Sequence, residues 1–167
     1  NDGVLEGHVF GDDELKGLFK MSNFDANIIT NLIDDRRFNI SGLIFGEISI
    51  EPSKKDFDID INISLKNGYY MSEPFDEMVI SLLYKASTLH IDDISMTKKG
   101  SMAVQLNGII PLDSNIDKKI ILESNFSNIS LAFIHSFFPN FFKIDGKATG
   151  SLDLAGTLKK TNFNYEI

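Results

Sequence analysis

The residues able to do chemistry are scattered along this 167-residue chain, and their spacing works against a reactive site. His8, His90 and His135 each lack a second ligand at i+2 to i+4, the spacing that brings two imidazoles onto one metal ion. They read as surface or partly packed histidines. Cysteine is absent, which excludes a thiolate nucleophile, a thiolate metal site and a disulfide framework. Carboxylates gather at Asp12-Asp13-Glu14, Asp34-Asp35 and Asp92-Asp93, all at expected turns, where solvation accounts for them. Lys147–Gly150 is flanked by glycine, yet the GxxxxGK[ST] order fails and no helix follows, so it is no phosphate loop. Asn-Ile-Ser at Asn39, Asn62 and Asn128 would accept glycans only in a eukaryotic secretory route. There is no nucleophile–base pair. Neither catalysis, a metal nor a cofactor is expected.

Composition narrows the partners. A net charge of −8 and the lack of any Lys/Arg-rich stretch speak against a phosphate-backbone ligand, so no nucleic acid is expected. Hydrophobic content of 43% suffices for a core, and 24% charged residues argue against intrinsic disorder. No run of apolar residues is long enough for a membrane-spanning helix. Any signal or anchor is expected to lie outside this sequence, in a longer repetitive protein of which residues 1–167 are one segment.

The elements come from alternation. In Phe142–Lys159 every second residue from Phe142 to Leu158 is apolar or glycine, and the opposite series is polar except for Ala155. That is the pattern of a strand with one dry and one wet face. Fully extended it would run roughly 60 Å, whereas a compact globule of this length has a radius of gyration near 15 Å. The sheet must therefore be elongated or curled. Gly146, Gly150 and Gly156 all fall on the dry face, where bulk would be needed to pack a second layer. They predict a sheet that folds inward as a trough. An ordinary bulged strand in a solid sandwich is the alternative.

The same pattern occurs earlier. Phe38–Ile50 alternates through Gly42 and Gly46 and superposes on Phe142–Leu154 with an offset of 104 residues (46 to 150). Ser22–Phe24 is matched to Ser124–Phe126, each followed by a helix-like run: Asp25–Asp34 with Asp25 as cap, and the run from Ile129 to Pro139. After each long strand comes another, Phe57–Leu65 and Phe163–Ile167. Two related units, about 22–66 and 124–167, are thus expected, joined by further strands over 69–123. Those strands include Leu89–Met96 with a bulge at Asp92-Asp93, and Met102, Val104 and Leu106 on one face. Asn67-Gly68, Lys99-Gly100 and Asp113-Ser114-Asn115 are expected hairpin turns. The fold class is mainly β: an elongated, curled antiparallel sheet with one or two short amphipathic helices.

The run Ile144–Leu158, preceded by an apolar stretch and Pro139, resembles the repeat of the TamB family, which belongs with the AsmA-like and bridge-like lipid-transfer proteins of diderm envelopes. Gly146, Gly150, Leu152, Leu154, Gly156, Thr157 and Leu158 match its pattern G-x-apolar-x-G-x-apolar-x-apolar-x-G-T-apolar. The usual following proline is missing, and Gly42–Ile50 matches only as far as its second glycine. The resemblance implies a β-taco: a curled sheet, open along one side, that carries phospholipid across the periplasm between the inner and outer membranes. It also implies a link to outer-membrane biogenesis, with a TamA- or BamA-type barrel and neighbouring segments of the same full-length chain as partners, and an inner-membrane anchor elsewhere. The expected lining for phospholipid acyl chains is Phe38, Ile40, Ile44, Ile48, Ile50, Phe57, Ile59, Ile61, Ile63, Leu65, Val104, Leu106, Phe142, Ile144, Leu152, Leu154, Leu158, Phe163 and Tyr165. Gly42, Gly46, Gly146, Gly150 and Gly156 would curve the groove. An interaction scaffold that helps assemble outer-membrane β-barrels by edge-strand pairing is the alternative function, and a closed sandwich adhesin or spacer is a third.

Overall fold

The computed structural model describes residues 3–10, 16–28, 40–53, 57–70, 73–113, 119–130 and 146–157, and the backbone of 160–166. These form one antiparallel sheet of ten strands in chain order. They are β1 (Val4–Phe10), β2 (Lys16–Asp25), β3 (Ile40–Pro52), β4 (Phe57–Tyr70), β5 (Glu73–Lys85), β6 (Thr88–Lys98), β7 (Ser101–Pro111), β8 (Ile120–Ser130), β9 (Lys147–Thr157) and β10 (Lys160–Glu166). Each strand pairs only with its neighbours in sequence, and β1 and β10 do not meet. The sheet is curled and unclosed.

Between β5, β6 and β7 the connections are two-residue turns. Lys99-Gly100 takes φ of 52° and 71°, the two-residue hairpin geometry whose twist matches that of the flanking strands. Ala86-Ser87 does the same between β5 and β6, with φ of 48° and 56°, although neither residue announces a turn. Its neighbour stabilises it: the Leu112 N–H donates to the Ser87 carbonyl at 2.8 Å.

Bulges bend the sheet. In β2 the register with β3 slips between Met21 and Phe24, where Asn23 has φ 56°; in β8 it slips against β9 between Phe126 and Ile129, where Asn128 has φ 52°. Asn67-Gly68 is not a hairpin turn. It lies inside β4, where two residues oppose Gly42 of β3 and Asn67 takes φ 51°. Asparagine tolerates this left-handed backbone, so the strand kinks and continues instead of reversing. Hydroxyls take up the backbone groups at two bulges: Tyr69 N–H donates to Ser41 Oγ at 3.1 Å, and Asn128 N–H to Thr149 Oγ1 at 3.0 Å. Asp92-Asp93 forms the expected bulge within β6, and is therefore no turn: both stand between the pairs Ile91↔Gly108 and Ile94↔Leu106. A further slip at Ala103 puts Met102 opposite Thr97 while Val104 meets Met96, so Met102 does not share a face with Val104 and Leu106.

The repeat is carried by the register. β9–β10 reproduces β3–β4 at an offset of 104, Ile48↔Ile61 recurring as Leu152↔Tyr165 and Ile50↔Ile59 as Leu154↔Phe163. In the preceding strand the equivalent of Ser22-Asn23-Phe24 is Ser127-Asn128-Ile129, because the two bulges coincide; Ser124–Phe126 lies three residues too early. Asp25 ends β2 and its Oδ1 accepts the Asn27 N–H at 2.9 Å, capping a helical turn at Ala26–Ile28. The rest of the expected first helix lies outside the described residues. Ile129 and Ser130 belong to β8, so no helix begins there, and the remainder of that run lies outside as well.

Gly46 tests the curling. Its φ is +132°, and a Cβ there would collide with the Asn62 carbonyl and Ile63 Cα of β4. Gly150, its counterpart at the same offset, does not take positive φ. Gly46→Ala is expected to cost about 1–3 kcal/mol from backbone strain alone. Gly150→Ala, which meets no such backbone strain, is expected to cost less. Urea unfolding of both variants checks this, and equal losses would reject the distinction.

Candidate functional site

Residues directly opposite in an antiparallel pair point to the same face, so the register can be followed across the whole sheet. One row runs Phe24–Ile44–Leu65–Met78–Met96–Val104–Phe126–Gly150. The next runs Leu5–Met21–Gly46–Ile63–Ile80–Ile94–Leu106–Ser124–Leu152. A third runs Gly7–Phe19–Ile48–Ile61–Leu82–Ile91–Gly108–Leu122–Leu154, and a fourth Val9–Gly17–Ile50–Ile59–Tyr84–Leu89–Ile110. Apart from glycines, Ser124 and the Tyr84 hydroxyl, these rows carry no polar side chain. They make one apolar face across β1–β9.

The rows differ in burial. Ile44, Leu65, Met78 and Met96 form a packed cluster with Ala26 and Ile129, and Ile44 is only 1% exposed. Apart from that at Asp92-Asp93, the bulges lie beside this row. Asn23, Gly42, Asn67, Ala103 and Asn128 each stand one or two residues from one of its members or from Ile129. Ile48, Ile63 and Ile80 pack against the buried cluster and are half-buried, as are Ile50, Ile59, Ile61, Leu82, Ile94, Leu106, Leu122, Leu152 and Leu154 farther along the rows. Neighbours in the sheet cover their flanks, yet they keep part of their surface open. The chain exposes 11248 Å², against about 8,300 Å² for a compact monomer of its mass.

Among the expected lining residues, Ile40 pairs with Tyr70 and packs on the buried cluster, Ile44 and Leu65 are inside it, and Val104 packs against it. Ile48, Ile50, Ile59, Ile61, Ile63, Leu106, Leu152 and Leu154 lie in the half-open rows, and Phe57 stands at their rim. Phe38, Phe142, Ile144 and Leu158 lie outside the described residues. So do the side chains of Phe163 and Tyr165, whose backbones pair with Leu154 and Leu152. Among the expected curving glycines, Gly42, Gly46 and Gly146 have positive φ, whereas Gly150 and Gly156 do not. Sequence reasoning missed Met21, Phe19, Ile80, Leu82, Ile91, Ile94 and Leu122 as lining. Met78–Tyr84 of β5 is apolar on both faces except at Ser81, so its alternation is weak. Pairing it with β4, whose faces are clear, would have assigned Ile80 and Leu82.

The opposite face is polar and tied together. Asn62 Nδ2 donates to Asp60 Oδ1 at 2.6 Å and its Oδ1 accepts Ser81 Oγ at 2.7 Å, while Ser95 Oγ donates to Asp93 Oδ2 at 2.9 Å. Lys85 Nζ lies 2.8 Å from Asp58 Oδ2, and this carboxylate raises the ammonium pKa above its usual value. Lys66 Nζ sits 5.4 Å from the Phe45 ring centre, a cation–π contact on this otherwise wet face. A shallow depression of about 280 Å³ lies against Phe45, Asn62, Ser64 and Val79 and also touches Gly46, Ile63 and Ile80 of the second apolar row. Its open form suits no enclosed ligand. His90 pairs with Leu83 and Ile109, and His8 is exposed on β1. Among the described residues no three His, Asp or Glu side chains gather as a metal site requires.

No protein-family model matches this chain, and neither a curated protein nor a solved structure does.

Proposed function

We propose that this chain is a non-enzymatic segment of a hydrophobic conduit for phospholipid, working in the periplasm between the two membranes of a diderm bacterium. The observation that carries the reading is the set of half-buried apolar rows running unbroken across an unclosed sheet. The resemblance of Ile144–Leu158 to the TamB repeat supports it. Exposing acyl chain to water costs about 0.8 kcal/mol per CH₂, so a sixteen-carbon tail costs about 12 kcal/mol. A continuous apolar face removes most of that cost while the head group stays wet. Transfer from bilayer to groove is then nearly neutral, which permits flow, whereas one tight pocket would trap the lipid. Neighbouring segments of a longer chain would extend the groove, and a TamA- or BamA-type barrel would stand at its outer-membrane end.

Lipid extraction and mass spectrometry of protein purified from a diderm host test the proposal. Phospholipid is expected to co-purify, and its absence at every protein concentration would reject the conduit. One observation favours the second reading, a scaffold for barrel assembly: the fully exposed edge strand β1 is able to pair with another strand.

A further inference from the structure

Along β3, β4 and β5 the apolar face is packed at one end of the strands and open at the other. At the first end Ile44, Leu65 and Met78 are 1%, 2% and 7% exposed. At the second, Ile50, Ile59 and Tyr84 are half-buried, and Phe57, paired with Pro52, is 38% exposed. The ends differ in chemistry too. Within the four rows, Tyr84 alone among the residues of these three strands brings a polar group. A tyrosine ring is apolar and its tip is polar, which suits a boundary between hydrocarbon and water. Lys85 follows it as the last residue of β5, with its side chain 59% exposed. The contact with Asp58 leaves that ammonium with donors to spare, and an ammonium binds phosphate as a point charge. Lengths agree as well. From Tyr84 to Met78 along β5 is about 20 Å at ~3.3 Å per residue. One acyl tail spans half of a hydrocarbon core ~30 Å thick, or about 15 Å. A tail that starts at Tyr84 therefore lies over the half-open rows and stops short of the packed one.

We propose that phospholipid lies on this segment with its head group at the Tyr84–Lys85 end of the strands and its tails directed along β4 and β5 toward the row of Ile44. The Lys85 ammonium holds the phosphate, the Tyr84 ring marks the junction of head group and tail, and Ile61, Ile63, Ile80 and Leu82 carry the tails. This rests on the conduit reading and adds to it which ends of the strands the head groups follow.

Tryptophan fluorescence of the intact chain tests it, because the chain contains no tryptophan and an introduced one reports alone. Phe57→Trp puts the reporter at the open end, and Ile63→Trp puts it about 20 Å farther along β4. Each variant, its sheet checked by circular dichroism, is loaded from vesicles of phosphatidylcholine and separated from them by flotation. The lipid carries a nitroxide either on the head group or at the end of a tail. The head-group label is expected to quench Phe57→Trp at least twofold more than Ile63→Trp, and the tail-end label to reverse that order. Lys85→Met is expected to lower the retained lipid about threefold. The opposite order with either label, equal quenching at both positions, or full retention by Lys85→Met would overturn the orientation while leaving the conduit standing. Failure of the wild type itself to retain lipid would instead overturn the conduit reading, and the orientation with it.

Discussion

Ile48→Asp and Leu152→Asp are expected to abolish phospholipid retention while leaving the sheet folded. The two residues occupy equivalent places in the two copies of the repeat, one in β3 and one in β9. Both are half-buried, so a carboxylate there keeps access to water and need not be desolvated. An acyl chain lying across the row would instead have to desolvate it, which breaks the continuity on which nearly neutral transfer depends. Lipid content by mass spectrometry and strand content by circular dichroism read the two effects separately. Normal lipid content in both variants, with normal spectra, would count against the conduit. Loss of the sheet would show that these residues serve packing and not lining.

Ile44→Ala is expected to cost about 2–5 kcal/mol of stability, the range for deleting a buried aliphatic side chain from a packed cluster. Ile44 is 1% exposed and pairs with Leu65 at 2%. Ile48→Ala, four residues along the same strand and on the same face, is expected to cost about half as much or less, since only part of its surface is withdrawn from water. Equal costs would mean that one packed core runs the length of the strand. Denaturant unfolding of both variants decides between the two.

Much of the fold is legible in the chain. Strict alternation in Phe57–Leu65 and Phe142–Leu158 needs no neighbours to be read, because side chains in a strand alternate by geometry. Lys99-Gly100 and the bulge at Asp92-Asp93 are local, and local signals carried them. Asn67-Gly68 misled for the same reason: the pair suits a reversal and a bulge equally, and only the single residue, Gly42, that opposes it in β3 selects the bulge. Ala86-Ser87 turns with little local signal, and the Leu112 N–H, just beyond β7, bonds its Ser87 carbonyl from outside. On the apolar face, alternation found Ile48, Ile61, Leu152 and Leu154 but passed over Ile80 and Leu82, because Val79 and Leu83 beside them are apolar too.

The sequence by itself determined which residues are dry, and that they recur 104 positions apart. It could do so because a strand's faces follow from period two, whatever lies beside it. Which dry residues are packed and which stay open was decided by the tertiary structure alone. Ile44 and Ile48 are the same residue on the same face of one strand, and nothing local separates them. Ile44 lies inside the buried cluster with Leu65, Met78 and Met96, whereas Ile48 packs against the margin of that cluster and keeps part of its surface open.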